Sequence, residues 1–328
     1  LPDASRVDIQ FKGSGVTPYS RQGDGRATLG PMLREYIISE AMHGLNIPTT
    51  RSLAVVTTGE DVIRETILPG AILTRVAQSH IRVGTFEFAA ANRDENLLQV
   101  LLTYAANRHF KELNDDDNLA VAFLKKVMIL QVDLIVHWMR VGFIHGVMNT
   151  DNMAISGETI DYGPCAFMDT YNPATVFSSI DHGGRYSYGN QPAIAQWNLT
   201  RLAQALLPLI DQDQAKAIER AQETIGLFKE LYQTKWLDMM RLKLGLLDSK
   251  PGDEQLITDL LDWMKVNETD YTNTFRDLSQ LEKPLGKLYE RDDFNVWYKN
   301  WQDRFAINNY DQLAVIGVMK QNNPAIML

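Results

Sequence analysis

The residues best suited to chemistry lie in one irregular segment near the middle of the chain. The run His-Gly-Val-Met-Asn-Thr-Asp-Asn occupies residues 145–152, and Asp161-Tyr162-Gly163 begins nine residues after Asn152. Asn152 and Asp161 offer an amide oxygen and a carboxylate, which Mg²⁺ accepts as ligands while it bridges nucleotide phosphates. The pattern therefore predicts a metal site at these two residues, for Mg²⁺ or, as the alternative ion, Mn²⁺.

The same order of residue types occurs in the catalytic loop of protein kinases. Those enzymes use H-R-D-x-x-x-x-N followed by D-F-G, in which the Asn and the second Asp hold the metal. The carboxylate of H-R-D would fall on Val147, which cannot accept a proton. Asp151, directly before Asn152, is the nearest carboxylate that could deprotonate or orient an attacking hydroxyl. The loop thus predicts nucleotide chemistry with Asp151 as the base, and it disfavours ordinary kinase chemistry.

Two pairs of charged residues nearer the start of the chain could bind a nucleotide. Lys12 ends a predicted strand and Glu35 lies in the next predicted helix, like the kinase pair that fixes a lysine on the phosphates. Arg75 and Arg82 are close in sequence, and two guanidinium groups can clamp a triphosphate. A purely structural ion pair and two surface arginines are the alternatives.

Residues 1–90 have the pattern of a small α+β lobe that would carry these pairs. Alternating or β-branched runs predict strands at residues 6–12, 51–57 and 71–76. Turns are expected near Gly59 and Pro69. Apolar residues at helical spacing predict a helix between Pro31 and Gly44. The lobe is therefore expected to place one helix beside a small sheet.

The pattern from residue 91 onward is mainly helical. Helices are expected from Glu95 to about Phe110, over residues 118–141, and repeatedly after Pro192. Between residues 144 and 190 the helical period fails, and such irregular segments in compact domains often carry function. We predict an α+β fold in which residues 1–90 form an N-lobe and residues 91–328 a helical C-lobe containing this catalytic loop.

Composition excludes several functional classes. The 328 residues are 45% apolar and can bury a large core. The formal charge of -9 opposes phosphate-driven binding of nucleic acids. Cys165 is the single cysteine, so no intrachain disulfide can form. The apolar stretch 119–143 is interrupted by charged residues that lipid would not tolerate. We therefore expect a reducing compartment and neither a nucleic-acid nor a membrane partner.

A series of short motifs runs through the chain. In order, they are Lys12-Gly13-Ser14-Gly15, Thr17-Pro18-Tyr19-Ser20-Arg21, Gly23-Asp24-Gly25-Arg26-Ala27, Arg64-Glu65-Thr66, Arg75-Val76-Ala77, Ser79-His80, residues 145–152, Asp161-Tyr162-Gly163-Pro164, Asn190-Gln191-Pro192 and Asn323-Pro324-Ala325. Together they resemble the segments of the selenoprotein O family, and the likeness spans nearly the whole chain. Because that family has a glycine-rich segment before the position of Leu1 and continues past that of Leu328, the resemblance implies a core fragment without the family's termini.

The resemblance also implies a fold and an activity. The fold would be bilobal and protein-kinase-like, and the activity would be transfer of AMP from ATP to Ser, Thr or Tyr hydroxyls of proteins. ATP would lie inverted, so that its α-phosphate meets the acceptor. By position, the implied contacts of ATP are Lys12, Asp24, Gly25, Arg75, Arg82 and Asp161. Glu35 would pair with Lys12, Asp151 would accept the proton, and Asn152 and Asp161 would hold Mg²⁺.

Two other functions stay open on the sequence alone. A phosphotransferase would move the γ-phosphate of ATP to a protein or a small molecule. A non-catalytic ATP-binding scaffold would also suit the missing carboxylate at Val147. On spacing alone, Asp24-Gly25 predicts only a turn. The bacterial cytoplasm is the expected location, with mitochondria as the alternative that eukaryotic members of the family suggest.

Overall fold

The computed structural model shows an α+β fold. It describes residues 6–17, 20, 23–92, 94–114, 116–306 and 311–325, so Pro18, Tyr19 and Arg21 of one motif lie outside the described residues. The strands are β1 (Asp8–Lys12), β2 (Ala27–Thr28), β3 (Arg51–Ile63), β4 (Ile67–Ala77), β5 (Phe143–Ile144) and β6 (Ala166–Phe167). The α-helices are α1 (Leu29–Gly44), α2 (Val83–Ala91), α3 (Glu95–His109), α4 (Leu119–Val141), α5 (Gln191–Ile210), α6 (Gln214–Gly226), α7 (Phe228–Lys243), α8 (Asp253–Val266), α9 (Tyr271–Leu278), α10 (Asp292–Ala306) and α11 (Gln312–Asn322).

The chain divides into two compact units, each built from three segments. The first unit comprises residues 1–134, 145–164 and 193–228. The second unit comprises residues 135–144, 165–192 and 229–328. All the candidate site residues named above belong to the first unit.

The sheet of the first unit is centred on β4. Strand β3 pairs antiparallel with β4 along its length, and β1 and β2 pair antiparallel with its other edge. The register sets Gln10 opposite Arg75. Since opposite residues lie on one face of a sheet and side chains alternate, Arg75 shares its face with Gln10 and Lys12. Pairing within the sheet thus brings two predicted site residues to one face.

Helix α1 packs on this sheet through a stripe at helical spacing. The buried residues Met32, Glu35, Ser39 and Met42 form the stripe, and Met32 contacts a small apolar core that includes Leu73 of β4. A stripe of this kind would normally be wholly apolar. Two members of this stripe are polar: Ser39 has its hydroxyl 2.8 Å from that of Ser52, and Glu35 faces cationic partners on the sheet rather than aliphatic side chains.

The predicted strands and helices are confirmed in the main, but the turn positions near Gly59 and Pro69 are wrong. Strand β3 continues to Ile63 and β4 begins at Ile67, so the turn lies at residues 64–66. Gly59 lies within β3, where the register of pairing with β4 shifts between Thr57 and Asp61. Such bulges let a ladder continue through a residue that would otherwise end it.

Helix α2 was not predicted from the sequence. Its residues Val-Gly-Thr-Phe-Glu-Phe-Ala-Ala-Ala are apolar almost throughout and therefore lack a polar face with helical period. Val83, Phe86 and Ala89 are buried, and the ring of Phe86 packs against that of Phe123 of α4, with centroids 5.4 Å apart and ring planes tilted by 43°. Helix α2 is thus held by core packing in the first unit.

Two buried amides position the segment 145–164 within the first unit. Nε2 of Gln131 in α4 donates a hydrogen bond to the carbonyl of Ala154 at 2.6 Å. Nδ2 of Asn198 in α5 donates to the carbonyl of Met148 at 2.9 Å. Buried backbone carbonyls require such partners. Although the segment is irregular, its backbone is therefore fixed from two helices.

The second unit has an aromatic interior. The hydroxyls of Tyr188 and Tyr271 both donate to the carbonyl of Met139, at 2.7 and 2.9 Å. Lys243 is fully buried, and its Nζ lies 4.2 Å from the ring centre of Phe275. Nδ2 of Asn323, in the last of the motifs, donates to the carbonyl of Lys243 at 2.8 Å. That motif therefore has a structural contact in this unit.

Over the part of the chain that the structure describes, none of the helices is long and apolar enough to cross a membrane.

Candidate active site

Four charged side chains from different segments meet in the first unit. Nζ of Lys12, at the end of β1, lies 2.6 Å from Oε2 of Glu35 in α1 and 2.6 Å from Oδ1 of Asp161. The Arg75 guanidinium from β4 pairs with Glu35 and lies 2.5 Å from Oδ1 of Asp161. Two cations and two carboxylates thus form one continuous network.

Arg75 is the buried centre of this network, with 1% of its side chain exposed. Nε and Nη2 donate to Glu35, and Nη1 donates to Oε1 of Gln10 at 3.0 Å. Burial alone would lower the pKa of Arg75, but the Asp161 and Glu35 carboxylates raise it above its ordinary value. Arg75 is therefore a fixed positive charge whose donors bind protein side chains. Its predicted contact with ATP stays a prediction.

Asp161 is surrounded by cations. In addition to Lys12 and Arg75, Nη1 of Arg82 lies 3.1 Å from Oδ2 of Asp161. Burial would raise the pKa of Asp161, but Arg75, Lys12 and Arg82 hold it well below its ordinary value. Its backbone has a φ of 63°, a left-handed conformation that is uncommon outside glycine. Residues in such conformations concentrate at functional sites.

His145 orders the loop that precedes Asp161. Its ring is buried, Nε2 donates to the carbonyl of Ile160 at 2.9 Å, and Nδ1 accepts a bond from the backbone N–H of Val147 at 3.4 Å. Burial lowers the pKa of His145, which favours the neutral ring that these two bonds require. The imidazole thereby ties the start of the loop to the residue before Asp161.

Arg82 joins this network to Asp151. The same Nη1 that faces Asp161 donates to the backbone carbonyl of Asp151 at 2.8 Å. Arg82, Asp151 and His80 line a cavity of about 890 Å³. Burial, and then the charges of Arg75 and Arg82, lower the pKa of His80 to about 4, so the ring is neutral at pH 7. The cavity is wide enough for a nucleotide-sized ligand.

The residues predicted to hold a metal suit a magnesium ion that is coordinated partly by the protein and partly by a nucleotide. Nδ2 of Asn152 donates to the carbonyl of Val147 at 2.9 Å, which leaves the amide oxygen as the metal-binding atom of that side chain. Asp161 supplies a carboxylate in its ionised form. In the described ranges, no group of three or more His, Cys, Asp or Glu side chains could hold a metal ion. An amide and a carboxylate suit Mg²⁺ that is also bound by phosphate oxygens.

Asp24 and Gly25 lie apart from this network, on the loop between β1 and β2. Nη1 and Nη2 of Arg64 donate hydrogen bonds to the two oxygens of the Asp24 carboxylate, at 2.9 and 3.0 Å. These bonds, with one from the backbone of Arg26, lower the pKa of Asp24 to about 2. A Cβ at Gly25 would lie 1.9 Å from the carbonyl oxygen of Gly15, so the loop closes only around glycine. Their predicted contacts with ATP stay predictions.

Three residues of the site were missed from the sequence. Gln10 binds Arg75, Arg64 fixes Asp24, and Gly84 lies against Asp151. Arg64 could have been found from its place in the motif Arg64-Glu65-Thr66. Gln10 could have been found from the strand periodicity, which puts it on the same face as Lys12. No feature of the sequence distinguished Gly84 from other glycines.

Comparison with known proteins gives one consistent result. A family model described as "Protein adenylyltransferase SelO" matches residues 2–328. The protein nucleotidyltransferase YdiU of Nitrosococcus oceani is 59% identical over 326 residues, which cover 99% of this chain and 66% of that protein. The YdiU proteins of Brevibacillus brevis and Alcanivorax borkumensis are 59% and 56% identical, over 99% and 98% of this chain and 66% of each relative. The chain thus spans 66% of the length of these curated relatives.

Proposed function

The chain belongs to the SelO family of protein adenylyltransferases, and on this premise we propose that it transfers AMP from ATP to hydroxyl groups of protein side chains, with Mg²⁺. The observation that carries the proposal is the network at Asp161. Lys12, Arg75 and Arg82 converge on that carboxylate beside a cavity lined by Asp151. The names of the relatives describe nucleotidyl transfer, and the convergence of cations beside a candidate base supports the same proposal for this chain.

ATP would bind in the cavity with its phosphates toward Lys12 and Arg82. The Lys12 side chain is 29% exposed and that of Arg82 is 20% exposed, so both can contact a ligand while the ion pairs of the network stay intact. Arg75 is buried and would act chiefly through its charge. Asp24 and Gly25 would contact the nucleotide from the β1–β2 loop, with Arg64 holding the carboxylate in place.

The reaction would be an in-line displacement at the α-phosphorus. The acceptor hydroxyl oxygen forms a bond to that phosphorus, and the bond from the phosphorus to the bridging oxygen of the β-phosphate breaks. Pyrophosphate leaves with the electron pair, and the hydroxyl proton passes to Asp151. Asn152 and Asp161 would hold Mg²⁺, which neutralises the phosphate charge when it is bound. Val147 would not take part, because the base is displaced along the loop.

The fold we propose for this chemistry is bilobal and protein-kinase-like. Residues 1–90 would be the N-lobe, and residues 91–328 would be the C-lobe with the catalytic loop 144–190. Support comes from the Lys12–Glu35 ion pair, which joins a strand to the helix that follows it. ATP would lie inverted relative to kinases, which would bring the α-phosphate to Asp151.

The proposed partners are ATP and proteins that expose Ser, Thr or Tyr hydroxyls. Nucleic acid is not among them, because the charge of -9 opposes binding to phosphate backbones, and a membrane partner is likewise not proposed. The location we propose is the bacterial cytoplasm, and the bacterial origin of the compared relatives supports it. Mitochondria are the alternative location.

The position of a radioactive label in ATP tests the proposed function. The protein is incubated with Mg²⁺, a hydroxyl-rich acceptor such as casein, and ATP labelled at either the α- or the γ-phosphate. The α-label should enter protein and the γ-label should not. The transfer should be lost in Asp161→Ala and kept in Glu40→Gln, a control on helix α1 outside the site.

Each other outcome points to a rival function. Protein labelled from γ-labelled ATP would show a phosphotransferase. Binding of ATP without either label entering protein would favour a non-catalytic scaffold. Equal transfer by Asp161→Ala would contradict the proposed site, whatever the position of the label.

A further inference from the structure

The start of helix α2 is bonded directly to the loop that carries Asp151. The backbone N–H of Val83 donates to the carbonyl of Met153 at 3.0 Å, and that of Ile155 donates to the carbonyl of Ile81 at 3.1 Å. Between these bonds, Arg82 forms an antiparallel bridge with Ala154. The first turn of α2 is therefore fixed relative to the backbone of the loop.

This docking brings Gly84, the second residue of α2, against the Asp151 side chain. A Cβ built on Gly84 would lie 2.2 Å from Oδ1 of Asp151 and 3.3 Å from its Cγ. Real Cβ atoms essentially never come within 3.0 Å of another heavy atom. The carboxylate thus occupies the space that any side chain at position 84 would need.

The backbone gives no other reason for glycine at this position. Gly84 is not among the residues with positive φ, so its conformation is open to any amino acid. Glycine inside a helix is unfavourable, because it loses more conformational freedom on folding than alanine does. The close approach of the carboxylate is what distinguishes the position.

We propose that Gly84 is a positioning residue for Asp151. Its missing side chain lets the carboxylate rest on the first turn of α2, where the positive end of the helix dipole favours an anion, and keeps it at the wall of the cavity. This inference rests on the proposed function, because it assigns the place of the proton acceptor in that reaction. An alanine at position 84 would turn the carboxylate away from that place.

The substitution Gly84→Ala should separate turnover from binding and from stability. The atom that must move is the end of a side chain, so rotation of Asp151 can relieve the clash without unfolding the helix. A misplaced catalytic group costs about 100-fold in rate. We expect kcat for AMP transfer to fall by about that factor, with an unchanged KM for ATP and no fall in the melting temperature.

Gly30→Ala is the matched control. Gly30 is also the second residue of a helix in the same unit, α1, and apart from its chain neighbours and the nearby backbone of that helix, no described atom lies within 4 Å of a Cβ built there. This variant should keep the wild-type kcat and KM. Gly84→Ala with the kcat of Gly30→Ala would overturn the inference, and so would a loss that appears only as a higher KM for ATP.

A double-mutant cycle with Asp151→Ala tests whether Gly84 acts through that carboxylate. Once the carboxylate is absent, Gly84→Ala should cause no further loss of the residual rate, whereas a full further loss would overturn the inference. If Gly84→Ala alone fails to fold, its combination with Asp151→Ala should restore folding, and a double variant that stays unfolded would overturn it as well. If Asp151→Ala alone has the wild-type rate, the proposed role of Asp151 fails instead, independently of any result for Gly84.

Discussion

At the scale of the residue, Glu35 and Glu40 show how burial changes the value of one kind of contact. Both lie on α1 and both bind an arginine. Glu35 is 1% exposed and pairs with the equally buried Arg75. Glu40 is 32% exposed and pairs with Arg51 at 2.6 Å near the surface. Water can therefore solvate Glu40 and Arg51 when their contact is lost, but it cannot reach Glu35 and Arg75.

The two glutamates should therefore respond differently to loss of charge. Glu35→Gln leaves Arg75 buried with one carboxylate fewer, and removing one partner of a buried ion pair costs about 3–5 kcal/mol. Glu40→Gln should cost at most about 1 kcal/mol, as exposed pairs do. Urea denaturation followed by circular dichroism measures both. Equal losses for the two variants would show that the Arg75 network is not desolvated as described.

The residue types of the site could be predicted from the sequence, but their environments could not. The order of Asn152 and Asp161 predicted a site in this segment, because metal chemistry restricts which residue types are useful. That Arg75 would be buried, with its donors used by Glu35 and Gln10, depends on the strand register and on the packing of α1. Gly84 could not be found for the same reason, since its neighbour Asp151 is remote in the chain.

At the scale of the element, strand β1 inverts the usual preference for apolar residues inside. Ile9 and Phe11 are each 59% exposed, while Gln10 and Lys12 face Arg75 and Glu35. The alternation in the sequence predicted a strand correctly, because it has the period of a strand whichever face is buried. It could not show that the polar face is the inner one, which here is the face that holds the site.

The segment between Asn152 and Asp161 should make stability depend on pH through Glu158. Oε2 of Glu158 accepts bonds from the backbone N–H of Gln78 at 3.0 Å and from Oγ of Ser156 at 2.9 Å. Burial raises the pKa of Glu158 to about 7, from an ordinary value of 4.5, although these two bonds lower it in part. The folded protein therefore holds a proton that the unfolded chain has released between these two values.

The sign of the effect follows from the proton balance. The contribution of Glu158 to the free energy of unfolding is fully present below pH 4.5 and is lost as the pH rises toward about 7. The total loss is about 3 kcal/mol. Glu158→Gln cannot ionise and should remove that part of the decline. Glu112→Gln is the control, since its own backbone amide and Lys126 lower the pKa of Glu112. Urea denaturation at pH values between 4 and 8 measures the free energy of unfolding of each variant. If this free energy changed with pH in the same way in wild type and in Glu158→Gln, the assignment to Glu158 would be refuted.

At the scale of the whole molecule, the sequence predicted the fold class but not the organisation of the chain. The α+β class followed from the periodicity of the segments, which is a local property. Each compact unit uses three separate segments, and no local pattern indicates which distant segments will pack together. The lobe boundary at residue 90 stays a prediction. Family membership, by contrast, rests on the match of a family model to residues 2–328, which covers both units.

The most direct test of the central claim is the intact mass of the protein and of an acceptor protein after incubation with ATP. With Mg²⁺ present, we predict a gain of one or more AMP groups by wild type and by its acceptor. Asp161→Ala, and wild type with EDTA in place of the metal, should show no gain. A gain of phosphate instead of AMP, or no gain under conditions in which ATP demonstrably binds, would contradict the account.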